Sequence, residues 1–141
     1  MAECDPIEVS RSGDTRSPNL SSVPRITLAS APGRGRGVFA AAPIAAGEVV
    51  EVCPVIPLKR SCGIAMPPSF EDYVFHWNSE SDDAAFAVAG GFGCFYNHSS
   101  TPNVLLEYDF VRNELTFRAR CDLAAGEEIR FDYGDIWFAE S

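Results

Sequence analysis

Short runs of alternating apolar and polar residues, broken by glycine and proline, make up most of this chain. In residues 114–120, Leu115, Phe117 and Ala119 alternate with Thr116, Arg118 and Arg120, the pattern of a strand with one buried face. Residues 103–108 form its partner arm, with a hairpin turn around Val111-Arg112-Asn113. Further up the chain, Arg25-Ile26-Thr27-Leu28 begins a short strand, and Val38-Phe39-Ala40 resumes one after a glycine-rich interruption. Val49-Val50-Glu51-Val52 is a β-branched run of the kind found in buried strands. Residues 54–68 contain Pro54, Pro57, Pro67 and Pro68 and read as mostly loop. Residues 70–77 are aromatic-rich and fit either a short helix or an extended stretch. Many short strands and few helices predict a mostly-β domain.

One phrase occurs twice. Pro43-Ile44-Ala45-Ala46-Gly47-Glu48-Val49-Val50 parallels Asp122-Leu123-Ala124-Ala125-Gly126-Glu127-Glu128-Ile129. Each is a small-residue turn that closes on a glycine able to take positive φ before a strand begins. Only the turn recurs, so this is one turn design used twice and not a repeat architecture.

Composition narrows the picture. The 141 residues allow one domain, and a hydrophobic share of 46% is enough for a core. Residues 1–24 are rich in Ser, Pro, Asp and Arg without apolar periodicity and read as a flexible tail, leaving 25–141 as the domain. A formal net charge of −9 argues against direct nucleic acid binding, which needs a basic stripe. Acids cluster at Glu71, Asp72, Glu80, Asp82 and Asp83, and again at Asp122, Glu127, Glu128, Asp132, Asp135 and Glu140, where they face only Arg130. This is either a solubilising surface or one that attracts a basic ligand. None of the five cysteines is spaced as CxxC, and His76 and His98 complete no zinc pattern, so no metal site is expected. An odd cysteine count without a secretory leader suggests reduced thiols inside the cell, in nucleus or cytoplasm. Cys62, Cys94 and Cys121 read as buried small apolar residues. No apolar run is long enough for a membrane span.

Three segments carry candidate chemistry. Gly33-Arg34-Gly35-Arg36-Gly37 would let a backbone approach a ligand, but a strand follows it where a dinucleotide site needs a helix; alone it could be a plain turn. Asn97-His98-Ser99-Ser100-Thr101-Pro102-Asn103 has turn-forming residues and no nucleophile elbow. Gly126-Glu127-Glu128-Ile129-Arg130-Phe131-Asp132-Tyr133-Gly134 could be an ordinary strand after a turn.

In this order the three resemble the SET-domain protein-lysine methyltransferases. Gly35-Arg36-Gly37-Val38-Phe39 is similar to the family's GxG motif, Asn97-His98-Ser99 with Pro102-Asn103 to its NHSxxPN, and Gly126-Glu127-Glu128-Ile129 with Asp132-Tyr133-Gly134 to its closing GEExxxDYG. Asp72-Tyr73-Val74-Phe75 and Gly91-Phe92-Gly93 resemble phrases of compact SET-only proteins of viral and bacterial type. The resemblance spans residues 25–138. It implies several small β-sheets with a C-terminal pseudoknot, the chain end passing beneath a loop near Asn97. It also implies S-adenosyl-L-methionine as cofactor, held by Gly35, Arg36, Gly37, Asn97 and His98. Tyr133 would be the catalytic tyrosine, Tyr73 a second tyrosine lining the lysine channel, and Phe131 the residue that sets how many methyl groups fit.

The residue types suit that reaction. Only a neutral amine attacks the methyl carbon, and on the order of one lysine in a thousand is neutral at pH 7, a cost of roughly 4–5 kcal/mol. An aromatic channel desolvates the ammonium and lowers its pKa, while tyrosine hydroxyls orient the amine without adding charge. The implied substrate is a basic protein or peptide, a histone tail being the leading candidate. The chain departs from larger relatives in having no CxCxxxxC cluster after Tyr133; Trp137 and Phe138 or the second subunit of a homodimer would close the cofactor pocket, or the two aromatics are simply core or exposed terminal residues. Cys94-Phe95-Tyr96 also replaces the Arg-Phe that often precedes Asn-His-Ser. The alternative function is a non-catalytic SET-like peptide-binding module.

Overall fold

The computed structural model describes residues 25–71 and 73–132. The expected tail, Asp72, Tyr133 and the closing aromatics Trp137 and Phe138 therefore lie outside the described residues.

Two sheets and two single-turn helices account for the regular structure among the described residues. Strands β1 (Ile26–Ala31) and β2 (Gly35–Ala40) form an antiparallel hairpin, with Ala31 opposite Gly35 at its tip. β3 (Val49–Leu58) leads to helices α1 (Cys62–Ala65) and α2 (Pro68–Glu71), then to β4 (Val74–His76) and β5 (Phe86–Ala89). Residues 70–77 thus combine both readings of the sequence: the end of a helical turn, then a strand. After β6 (Asn97–His98) come the hairpin arms β7 (Val104–Asp109) and β8 (Glu114–Ala119), and finally β9 (Glu128–Phe131). The larger sheet has the order β4-β5-β3-β8-β7 and the smaller β1-β2-β9-β6. β9 pairs antiparallel with β2 and parallel with β6, so the last strand sits between the first hairpin and the Asn97-His98 segment. The threading expected of the chain end concerns residues beyond 132.

The 7–8 hairpin follows its periodicity. Leu115, Phe117 and Ala119 are buried, and Asn113 makes the turn with φ 55°. Residues 54–68 depart from the expected loop: β3 continues to Leu58 through Pro54 and Pro57, and α1 follows within the same stretch. Both prolines fit because β3 changes partners there. It pairs with β8 up to Pro54 and with β5 from Val55 onward, so each proline, which has no N–H to donate, sits opposite a paired strand on one side only. The Val49–Val52 run is not wholly buried either, since Val49 and Val52 face outward, 36% and 43% exposed. A β-bulge between Val49 and Glu51 interrupts the alternation and turns Val50 and Glu51 inward together.

The repeated turns are paired with each other. Gly47 and Gly126 have φ of 87° and 89°. Within each, the glutamate reaches back to the turn: Ala45 N–H donates to Glu48 Oε1 at 2.9 Å, and Ala124 N–H to Glu127 Oε1 at 3.0 Å. Ile44 and Leu123 exchange backbone hydrogen bonds of 2.9 and 2.7 Å across the pair. Gly47 N–H is bonded to Ala119 O, and Gly126 N–H to Ala40 O, so each turn caps the end of a strand adjoining the other.

One main core lies between the sheets. Val38, Ile44, Tyr96, Leu115, Phe117, Leu123, Ile129 and Phe131 are essentially inaccessible there. The cysteine expectation needs correction. Cys121 is exposed in the turn where the chain leaves β8, and Cys62 and Cys94 are only partly covered. Among the described residues the fully buried thiol is Cys53, raised far above its ordinary pKa by burial and then by Glu51.

Candidate active site

The three motif segments meet in the smaller sheet because β9 lies at its centre. β2 brings Gly35, Arg36 and Gly37 to one side of β9, and β6 brings Asn97 and His98 to the other. Asn97 pairs with Arg130 and His98 with Phe131. The loop after β6 is bound in as well, since Ser99 N–H donates to Phe131 O and Arg130 N–H to Asn103 Oδ1.

Gly35 and Gly37 are glycines for different reasons. Gly35 has φ 77°, a left-handed conformation, and nothing lies within 4 Å of where a Cβ would stand. Its backbone is open to a ligand. Gly37 has an ordinary φ, but a Cβ would fall 2.5 Å from Glu128 Oε2 and 2.7 Å from Asn97 Nδ2. Between them Arg36 is exposed, with its guanidinium 4.9 Å from the Phe95 ring centroid.

Asn97 is the junction. Its amide donates to Arg36 O at 3.0 Å and to Glu128 Oε2 at 2.8 Å. Glu128 has only 8% of its side chain exposed, and its other oxygen meets Arg34 at 2.6 Å and Arg130 at 3.8 Å. Burial of this carboxylate is thus offset by two guanidinium groups and the amide. The sequence reading had the C-terminal acids facing only Arg130; topology adds Arg34, from the tip of the β1–β2 hairpin.

Phe131 is completely buried. It stacks on Phe75 at 5.7 Å and meets Tyr96 and Phe117 edge-on at 6.4 and 5.8 Å. His98 lies near the surface, Nδ1 4.0 Å from Asp132 Oδ1. Tyr73 is 48% exposed, just ahead of β4, and its carbonyl accepts a weak bond from the Cys94 thiol, near the approach to Asn97. Glu128, Arg34 and Glu51 were not singled out from sequence. Their partners come from distant strands, and no local spacing signals such contacts. Among the described residues no cluster of three or more metal-binding side chains occurs, and no helix is long and apolar enough to cross a membrane.

A family model for the SET domain matches residues 35–134, well over half of the chain and all three segments just described. The chain belongs to the SET-domain family. The reaction of this class is S-adenosylmethionine-dependent methyl transfer to lysine, and the mostly-β fold in small sheets is the one its motifs implied. One relative is the Schizosaccharomyces pombe "Histone-lysine N-methyltransferase, H3 lysine-37 specific", 28% identical over 110 residues, covering 76% of this chain and 72% of that protein. A Plasmodium falciparum crystal structure, of a protein assigned by inference to the histone methyltransferases, superposes with a TM-score of 0.62 at 25% identity, over 81% of this chain and 96% of that chain. A Polycomb Repressive Complex 2 structure in an autoinhibited conformation, bound to S-adenosylmethionine, gives a TM-score of 0.62 at 22% identity over 84% of this chain and 16% of that one. That last likeness concerns the fold alone.

Proposed function

We propose that this SET domain methylates a lysine in a basic protein segment, with a histone tail as its substrate and the nucleus as its place of action. S-adenosyl-L-methionine would be held by Gly35, Arg36, Gly37, Asn97 and His98, and the lysine amine between Tyr133 and Tyr73. The observation that carries this reading is the bond from the Asn97 amide to Arg36 O, which joins the glycine segment to the Asn-His segment. The open backbone at Gly35 and the exposed Arg36 and His98 support this reading.

When bound, the cofactor supplies a sulfonium methyl as electrophile. The protein's part is to strip water from the substrate ammonium, so that it sheds its proton, and to aim the nitrogen lone pair. The stacked pair of Phe75 and Phe131, buried beneath the site, would give the floor of such a channel its low polarity. The acid excess, 20 Asp and Glu against 11 Lys and Arg, favours a basic substrate.

The test is methyl transfer to a panel of histones and other basic proteins, with mass spectrometry locating and counting the methyl groups. Calorimetry with S-adenosylmethionine runs alongside it. Labelled histone supports the proposal. Cofactor or peptide binding without transfer to any substrate supports a non-catalytic module instead.

A further inference from the structure

Glu51 belongs to none of the motifs, yet the bulge in β3 turns it inward beside Cys53. Its two carboxylate oxygens receive different donors. The Tyr96 hydroxyl donates to Oε1 at 2.6 Å, and the Phe92 N–H donates to Oε2 at 2.9 Å. Both donors lie on the stretch that runs from β5 to Asn97, about forty residues further along the chain.

That stretch is folded tightly onto the carboxylate. Gly91 is left-handed, with φ 59°, and a Cβ there would collide with Glu51 Oε2. A Cβ at Gly93 would lie 2.5 Å from Ala89 Cβ and 3.2 Å from Cys53 Sγ. Tyr96, the residue before Asn97, is 1% exposed and stacked on Phe117 with ring centroids 4.0 Å apart. Burial and the neighbouring Glu51 hold its phenol well above the ordinary pKa, so it remains a donor. A hydrogen bond to a carboxylate is stronger than one between neutral groups, and here it orients a ring that borders Phe131.

We propose that Glu51 is a positioning residue for the cofactor segment. By engaging the Tyr96 hydroxyl and the Phe92 N–H together, it sets the path of the chain into Asn97 and His98. It acts through these two groups and not on the reacting atoms. The inference rests on Asn97 as a cofactor residue, so its test carries that residue as a control.

The experiment measures S-adenosylmethionine affinity by calorimetry on the full chain, at a temperature where near-UV circular dichroism shows every variant folded. Steady-state kinetics at saturating cofactor accompany it. Loss of two bonds to the cofactor segment makes Glu51→Ala raise Kd on the order of tenfold, and Tyr96→Phe, which removes one, raise it roughly threefold. Glu51→Gln restores most of the affinity, because its carbonyl can accept from Phe92 N–H while its amide donates to the Tyr96 oxygen. In all three, kcat at saturation stays within about twofold, the split expected when binding alone is affected. A role limited to stability would lower Tm and leave Kd unchanged in the folded protein.

Should Glu51→Ala fail to fold, Tyr96→Phe decides the matter, and an unchanged Kd there overturns the proposal. Weakened binding in Asn97→Ala, with wild-type affinity in the Glu51 and Tyr96 variants, overturns this inference alone. A wild type that does not bind the cofactor overturns the pocket itself and this inference with it.

Discussion

The amide of Asn97 is bonded to the carbonyl oxygen of Arg36, 3.0 Å away and 61 residues earlier in the chain. The same amide reaches Glu128 on the strand between them. Removing it leaves an almost buried carboxylate short of a donor and cuts the link between the two cofactor segments. Asn97→Ala should therefore weaken S-adenosylmethionine binding by about 1–3 kcal/mol. Calorimetry reads this directly, and unchanged affinity would sink the assigned pocket.

Gly37→Ala places a methyl group within 2.5 Å of Glu128 Oε2. It should displace Asn97 and Glu128 together, lowering Tm and cofactor affinity in the same variant. Gly35→Ala meets no atom, but its left-handed φ of 77° costs roughly 1–2 kcal/mol. Comparing the two by thermal denaturation and calorimetry separates collision from backbone strain. The collision should cost more affinity.

Phe131→Tyr should shift products from di- or trimethyl-lysine toward monomethyl-lysine, because a hydroxyl at this position can hold a water where another methyl would go. Complete burial among Phe75, Tyr96 and Phe117 adds a second expectation. The new hydroxyl costs about 1–3 kcal/mol of stability unless a water or polar group satisfies it. Mass spectra at long incubation and a melting curve check both. An unchanged product distribution would assign control of the channel to another residue.

Tyr133→Phe should abolish most transfer while folding and cofactor affinity persist, since one hydroxyl alone is removed. Single-turnover assays beside calorimetry decide it. A variant that keeps most of its kcat would remove Tyr133 from the catalytic role.

Glu107 and Arg118 make a two-pronged ion pair at 2.8 and 3.1 Å on the outer face of the larger sheet. The hydrogen bond from Arg118 holds the Glu107 carboxyl below its ordinary value of 4.5. A lowered native pKa gives stability that is complete above the unfolded value and fades as pH falls through the native one. Glu107→Gln should thus lower Tm slightly at pH 7, with the gap to wild type closing below the native pKa. Solvent screening of these exposed side chains limits the effect to about 1 kcal/mol or less. Melting curves from pH 7 to 3 test it.

Much of this was legible in the residues themselves. The alternation in 114–120 and the turn at Asn113 placed one hairpin, and the twin Ala-Ala-Gly-Glu phrases placed two turns. Ordered motifs gave the family. What could not be read was where the strands pair. Pro54 and Pro57 argued for a loop, because local chemistry does not reveal that β3 changes partners between them. For the same reason Glu128 read as one more surface acid, although Arg34 and Asn97 reach it from remote strands. Glu51 was invisible because a bulge, which periodicity cannot supply, turned it inward.

The central place of β9 also fixes an order of events in synthesis. The five strands of the larger sheet all lie before residue 120, so that sheet can pair once the hairpin β7–β8 has emerged. The site cannot, since the β1–β2 hairpin and the Asn97-His98 strand are held side by side in the sheet by pairing with residues 128–131, and the bond from Asn97 to Arg36 spans that strand. A nascent chain therefore carries a nearly finished framework with no place for cofactor until β9 is translated, and closing that gap requires contacts of long sequence separation. A ribosome-bound fragment ending before β9 should accordingly be inert as an enzyme, however much of its sheet has already formed.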